Sequence, residues 1–394
     1  MAPRFCSGLD IPMLDLMRET LSAPYRVTRP YPRWGEEITL EAEDGPPTIL
    51  RVLAPASPRT ASAGLLLVHG MNEYVGRYGA IARHFAERRL VAGFDLPAHG
   101  LSNPVLREAD RAIRRGAVAY DIGAAYLAQT GLNSLEPFRR GLERALRRVI
   151  AILDHGRGAG TPVFILAHSL GALVAASYLL DPASCSRVSG IVLLGPAFSV
   201  PEPPGWRGWL ANPLIRLSFT AEQRLVSPGA ELNFWQRNSA KLVSRFLSGL
   251  FGGLSRPGLP GLVAPRTPAW VPNYLTDCEE ERRRHRDDAY IIRRSLLSYV
   301  KAVEREIAAF RCRMAEFSLP YLLVYSGRDP ITAPWGGRDF AALTRHRHPA
   351  SEVLCLEDRY HHEHLFASPA ETGAVLEHID RWLTKMEALH RDGR

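Results

Sequence analysis

The chain is expected to fold as an α/β protein, a mostly parallel, doubly wound sheet with helices on both faces. Two observations lead there. Short apolar runs alternate with helix-length segments, the pattern of parallel strands joined by crossover helices. One such run, Val163-Phe164-Ile165-Leu166, passes through Ala167-His168-Ser169-Leu170-Gly171 directly into Ala172-Leu173-Val174-Ala175-Ala176. That junction reads as a buried strand, a tight turn with serine at its apex, and a helix.

The elements follow in order. Residues 38–42 and 48–53 flank Asp44-Gly45-Pro46-Pro47 and predict an opening hairpin. Residues 65–68 form a buried strand, with a helix expected over 77–88 and the next strand over 90–94, ending at Asp95. Leu142, Ala145, Val149, Ile150 and Leu153 recur at helical spacing within 138–155. After the serine turn come strands at 191–194, 321–325 and 353–356, then a closing helix over about 371–386. Two stretches break the alternation. Residues 103–133 exceed an ordinary connection, and residues 201–311 are too long for a plain crossover. The latter are rich in aromatic, Pro and Gly residues and are expected to form a cap inserted over the carboxyl edge of the sheet. The expected domains are therefore a core of 1–200, a cap of 201–311 and the remaining core of 312–394. Residues 1–31 carry too little pattern to place.

Composition fits a soluble enzyme, with 394 residues, 46% hydrophobic and 23% charged. No stretch approaches the roughly 18 uninterrupted apolar residues of a membrane span. The N-terminal residues lack a basic segment followed by a long apolar core, so no signal peptide is expected. Cys6, Cys185, Cys278, Cys312 and Cys355 are scattered without C-x-x-C spacing, which argues against a disulfide framework or a zinc site. A cytoplasmic location is the expectation, with the formal net charge of +8 leaving room for peripheral contact with an anionic membrane surface. Nucleic-acid binding is not expected, because the densest basic run, 281–288, is neutralised by its own acids and by Glu279 and Glu280.

Ser169 is the candidate nucleophile. A strained strand-to-helix turn lifts its Oγ clear of the sheet, and the Leu170 N–H behind it points to where an oxyanion would form. Asp329 follows the 321–325 strand and is the candidate orienting acid. His361 and His362 follow the last strand and supply the base. The chain order Ser, Asp, His is that of the α/β-hydrolase fold, each member on a loop at a strand's carboxyl end. In Leu67-Val68-His69-Gly70-Met71 the glycine brings a flexible backbone beside the serine turn, so the Met71 N–H can join Leu170 as a second oxyanion donor. No metal or organic cofactor is implied.

These residues carry a more specific resemblance. His69-Gly70-Met71-Asn72-Glu73-Tyr74-Val75-Gly76-Arg77-Tyr78 resembles the H-G-x-x-E-x-x-x-R-Y segment of the monoacylglycerol lipase and lysophospholipase family of α/β hydrolases. Phe94-Asp95-Leu96-Pro97-Ala98-His99-Gly100-Leu101-Ser102 is similar to its D-x-x-G-H-G-x-S, with Ala98 in place of Gly. The family's G-H-S-M-G turn appears with Ala167 and Leu170 as departures. The resemblance implies a triad of Ser169, Asp329 and a histidine after Glu357, with Glu73 and Arg77 bracing the oxyanion loop. Counting from Glu357 selects His361, the preferred base; the family's frequent His-Glu pair selects His362-Glu363 as the alternative. It also implies a lipid ester substrate with a single acyl chain. Leu242, Val243, Phe246, Leu247, Leu250 and Phe251 fall at helical spacing. That stripe is either the packing face of the cap or a lid helix in which Phe246, Leu247 and Leu250 contact the acyl chain.

Overall fold

The computed structural model describes residues 26–42, 46–55, 61–157, 160–226, 238, 271–293 and 295–393. Ten strands are described: β1 (Arg26–Val27), β2 (Glu36–Leu40), β3 (Thr48–Leu53), β4 (Gly64–Val68), β5 (Leu90–Phe94), β6 (Tyr120–Asp121), β7 (Val163–His168), β8 (Gly190–Leu194), β9 (Tyr321–Ser326) and β10 (Glu352–Leu356). Eight of them make one sheet in the order β10-β9-β8-β7-β4-β5-β3-β2. The six strands from β10 to β5 are parallel, and β3 and β2 add an antiparallel hairpin at one edge. The expected α/β architecture is therefore the observed one.

Every residue of β4, β5, β7, β8 and β9 is buried, as a sheet covered on both faces demands. One face packs on the helices Glu136–Arg157, Leu170–Tyr178 and Leu297–Arg313, through Leu142, Val149, Leu173, Tyr299 and Phe310. The other packs on the helices Gly79–Ala86 and Pro369–Arg391, through Ile81, Phe85, Ile379, Trp382 and Leu383. The closing helix Pro369–Arg391 extends past its expected span at both ends, because Pro369 suits a first helical turn and no Pro or Gly follows Met386 before Gly393.

Of the two stretches with the weakest sequence pattern, the described residues 26–31 fold on the 103–133 segment. β1 lies antiparallel to β6, with Arg26 opposite Asp121 and Val27 opposite Tyr120. Val27 and Tyr31 join Leu106, Ala109, Ile122 and Tyr126 in a separate apolar cluster that also takes in Tyr74 and residues 289–292. Between β8 and β9 the described elements are all helical: Gly205–Val226, Val271–Leu275, Glu279–Asp287 and Leu297–Arg313. Leu297–Arg313 packs against both Gly205–Val226 and the helix after Ser169. The stripe holding Phe246, Leu247 and Leu250 lies outside the described residues. No helix among the described residues is long and apolar enough to cross a membrane.

Candidate active site

Ser169 stands between β7 and the helix Leu170–Tyr178 with φ +52° and ψ −118°, a backbone conformation that side-chain-bearing residues rarely adopt. The surroundings hold it there. Its N–H donates to Leu194 O at 2.9 Å, and its carbonyl accepts from the Ala172, Leu173 and Ala197 N–H groups. Two glycines allow the neighbouring chains to close in. A Cβ on Gly171 would fall 2.4 Å from His69 O, and one on Gly70 would fall 2.7 Å from Glu73 Oε1 and 3.0 Å from Ser169 Cβ. The His69–Met71 loop is thus pressed directly against the serine turn. Leu170 is the first residue of its helix, so its N–H has no intrahelical acceptor. The Met71 N–H makes no hydrogen bond among the described residues.

The structure corrects the preferred histidine. His362 Nδ1 lies 2.6 Å from Asp329 Oδ2, whereas His361 makes no contact with Asp329. Adjacent residues of an extended loop point to opposite sides, so only one of the pair can face the site. The His361 ring lies against Tyr360 at 4.2 Å, and burial lowers its pKa although Asp277 and Glu371 act to raise it. Asp329 is held in turn: the Ile331 and Thr332 N–H groups donate to Oδ1, and the Thr332 hydroxyl donates to Oδ2. The loop bearing His362 is fixed from outside the sheet. The His362 N–H donates to Tyr274 O and Leu275 O, and the Glu363 N–H to Leu275 O. His362 Nε2 is buried and has no partner among the described residues, while the ring sits 4.8 Å from that of His168. A Cβ on Gly195, next to the Leu194 carbonyl that holds Ser169, would fall 3.1 Å from the His362 ring.

Behind these groups runs a buried charge network. Glu73 accepts from the Gly70 N–H (2.5 Å), Arg77 Nη1 (3.0 Å) and the Tyr78 hydroxyl (3.1 Å), and pairs with His168 Nδ1 (2.6 Å). Arg77 reaches on to Glu363 and Glu281, and His285 pairs with Glu363 at 2.9 Å. Burial pushes the Glu73 carboxyl up, but His168 and then Arg77 outweigh it and hold the group ionised. Burial likewise pushes His168 down, and Glu73 more than reverses this, so its pKa is raised. One connected set of ions therefore joins the Gly70 turn, the residue before Ser169, the residue after His362 and the helix Glu279–Asp287. His168, Glu281 and His285 were not singled out in the sequence. Their partners lie far along the chain, and only the residue sequence His362-Glu363 hinted at the join.

Two neutral histidines complete the backing. His99 Nε2 accepts the Asn72 N–H at 3.1 Å, and burial followed by His69 lowers its pKa to about 3. His69 Nε2 accepts the Leu96 N–H, and its Nδ1 donates to Gly70 O. Both must stay neutral to accept these bonds. Tyr31 is a further support that the sequence did not suggest. Its hydroxyl donates to Asp95 and accepts from the Gly76 N–H, behind the same loop.

A parallel sheet with a strained serine turn at the carboxyl end of a central strand, and an Asp–His pair on the loops after β9 and β10, defines an α/β hydrolase. The chain belongs to the family described as serine aminopeptidase, S33, whose model matches residues 59–366. Among solved structures it is similar to a soluble variant of monoglyceride lipase from Saccharomyces cerevisiae in complex with a substrate analog. That likeness has a TM-score of 0.62 and 15% identity over 91% of this chain and 99% of the other. It is also similar to a thermostable carboxyl esterase from Bacillus coagulans in complex with glycerol, with a TM-score of 0.54 and 16% identity over 90% and 100% of the two chains. The monoacylglycerol lipase of Paleococcus ferrophilus gives 0.52 and 18% over 86% and 98%. None of the curated protein sequences matches the chain. At these identities the structural likenesses establish the fold, and the family establishes a hydrolase.

Proposed function

We propose that the chain hydrolyses carboxylic esters of single-chain lipids, such as monoacylglycerols or lysophospholipids, through an acyl-enzyme on Ser169. The observation that carries this reading is the strained Ser169 turn beside a His362–Asp329 pair whose Nε2 is left free. His362 Nε2 takes the Ser169 proton as Oγ attacks the ester carbonyl, and Asp329 holds the imidazole in the required tautomer and stabilises its charged form. The Met71 and Leu170 N–H groups receive the oxyanion. Collapse expels the alcohol, protonated by His362, and water then releases the fatty acid by the same route.

The lipid substrate is supported by the resemblance in the 69–78 and 94–102 segments and by the monoglyceride lipase among the structural likenesses. Residues 201–311 act in this reading as the cap that accepts the acyl chain, and Trp209, Leu214 and Leu217 on the helix Gly205–Val226 are exposed apolar side chains suited to it. The test is a series of acyl esters of rising chain length, with fatty acid and alcohol both measured. Each buried CH₂ is worth roughly 0.8 kcal/mol, so kcat/KM should rise about fourfold per carbon until the site is filled. A steep preference for acetyl esters would refute the lipid substrate. Transfer to added glycerol at the expense of free acid would identify an acyltransferase instead.

A further inference from the structure

One concavity has none of Ser169, Asp329 and His362 in its lining. It is a cleft of about 800 Å³ bounded by residues 26–33, by Tyr74 and the 76–83 segment, and by the helix Glu279–Asp287 with the residues just after it. Seven arginines line it against three carboxylates. Three of those arginines are committed: Arg33 pairs with Asp110, Arg77 with Glu73 and Glu363, and Arg284 with Glu280 and Glu281. The other four, Arg26, Arg29, Arg83 and Arg283, are exposed and have no carboxylate partner among the described residues.

The contrast is sharpest on one helix. Arg282, Arg284 and Arg286 each hold a glutamate, whereas Arg283, which faces the cleft, holds none. The carboxylates of the lining do little to balance these charges. Asp288 is occupied by the Tyr74 hydroxyl and the Tyr290 N–H, and Glu280 by Arg284, so Asp287 is the free acid that remains.

We propose that this cleft binds a phosphate monoester, its dianion held by Arg26, Arg29, Arg83 and Arg283. Guanidinium groups arriving from three separate chain segments suit a dianion with several acceptor oxygens, whereas a single carboxylate would occupy only one fork. A bound phosphate would bridge the N-terminal segment, the helix Gly79–Ala86 and the return from the 201–311 segment. It would sit beside Tyr74, Gly76 and Arg77, the segment that follows Glu73. The phosphate could belong to a free metabolite or to the headgroup of an anionic lipid, and the site stands whether or not Ser169 is the nucleophile.

The test titrates the full chain with glycerol 3-phosphate in one arm. In the other it is mixed with phosphatidylcholine vesicles with and without phosphatidic acid. A triple variant, Arg29→Gln, Arg83→Gln and Arg283→Gln, is compared with a charge-matched control, Arg140→Gln, Arg147→Gln and Arg187→Gln, on exposed residues elsewhere. The expected result is saturable binding in either arm or both, weakened by about tenfold or more in the cleft variant and changed less than about twofold in the control. Binding to glycerol 3-phosphate identifies a free phosphate, and binding only to phosphatidic acid vesicles identifies a headgroup. Melting curves of both variants, and the single changes Arg83→Gln and Arg283→Gln, separate loss of binding from loss of folding. Absence of binding in both arms, or equal weakening by the two triple variants, overturns the proposal.

Discussion

Replacing Glu73 by Gln should damage both stability and catalysis, because this carboxylate joins the backbone of the Gly70–Met71 loop, the proposed oxyanion loop, to the buried ions behind it. Glutamine keeps the shape and can still accept the Gly70 N–H. It cannot neutralise Arg77 and His168, which lie 3.0 Å and 2.6 Å from the carboxylate oxygens. Arg77 retains Glu363 and Glu281, so it is not wholly stranded, whereas His168 has no other carboxylate within ion-pair distance among the described residues. Breaking a buried ion pair costs about 3–5 kcal/mol. An unfolding entropy of about 2.1 cal/mol/K per residue gives about 0.8 kcal/mol/K for 394 residues. The melting temperature should therefore fall by roughly 4–6 °C. Loss of one well-placed oxyanion donor costs about 10²–10³ in kcat, so a Gly70–Met71 loop displaced by the substitution should slow ester hydrolysis by up to that factor. Thermal unfolding followed by circular dichroism, with kcat measured on a short soluble ester, checks both parts. A variant that melts within about 1 °C of the parent and keeps its kcat would refute the bracing role.

Other perturbations follow from the same geometry. Gly171→Ala puts a methyl 2.4 Å from the His69 carbonyl, a backbone atom that cannot swing aside, and should destabilise by about 1–3 kcal/mol. Gly373→Ala in the closing helix meets nothing within 4 Å and should stabilise by up to about 1 kcal/mol, and urea unfolding of the two variants provides the comparison. The pH dependence has a definite sign. The folded pKa of His168 is raised, so its pairing with Glu73 stabilises fully below the ordinary histidine value and fades as pH rises through the raised one. His168→Gln should then cost more stability at pH 6 than at about pH 9.5, and an equal cost at both would contradict a charged His168.

Much of the fold was legible because buried strands declare themselves. The runs at 65–68, 90–94 and 191–194 are apolar throughout, and their neighbours in the sheet could be anticipated from alternation with helices. Ser169 and Asp329 stand out for a similar reason, since each comes a few residues after such a run. The choice between His361 and His362 was not. It depends on which of two adjacent side chains the loop turns inward, and the hydrogen bonds from the His362 and Glu363 N–H groups to Tyr274 and Leu275 bear on that loop from some 87 residues away. The pairing of β1 with β6 was equally hidden, because two-residue strands leave no periodicity to read. Asp95 and His99 appeared in the sequence only as parts of a motif. Their role behind the 69–78 loop comes from Tyr31 and Asn72, which approach them from other parts of the chain.

In the proposed mechanism Ser169 is activated by His362 and not by His361. The most direct test is the rate at which a fluorophosphonate labels the intact protein, followed by mass spectrometry across Ser169→Ala, His361→Ala and His362→Ala. One adduct is expected on the parent chain and none on Ser169→Ala. Labelling of His362→Ala should be slowed by roughly 10³-fold or more, while His361→Ala stays within about tenfold of the parent. Labelling that persists in Ser169→Ala, or that depends on His361 and not on His362, would contradict this mechanism.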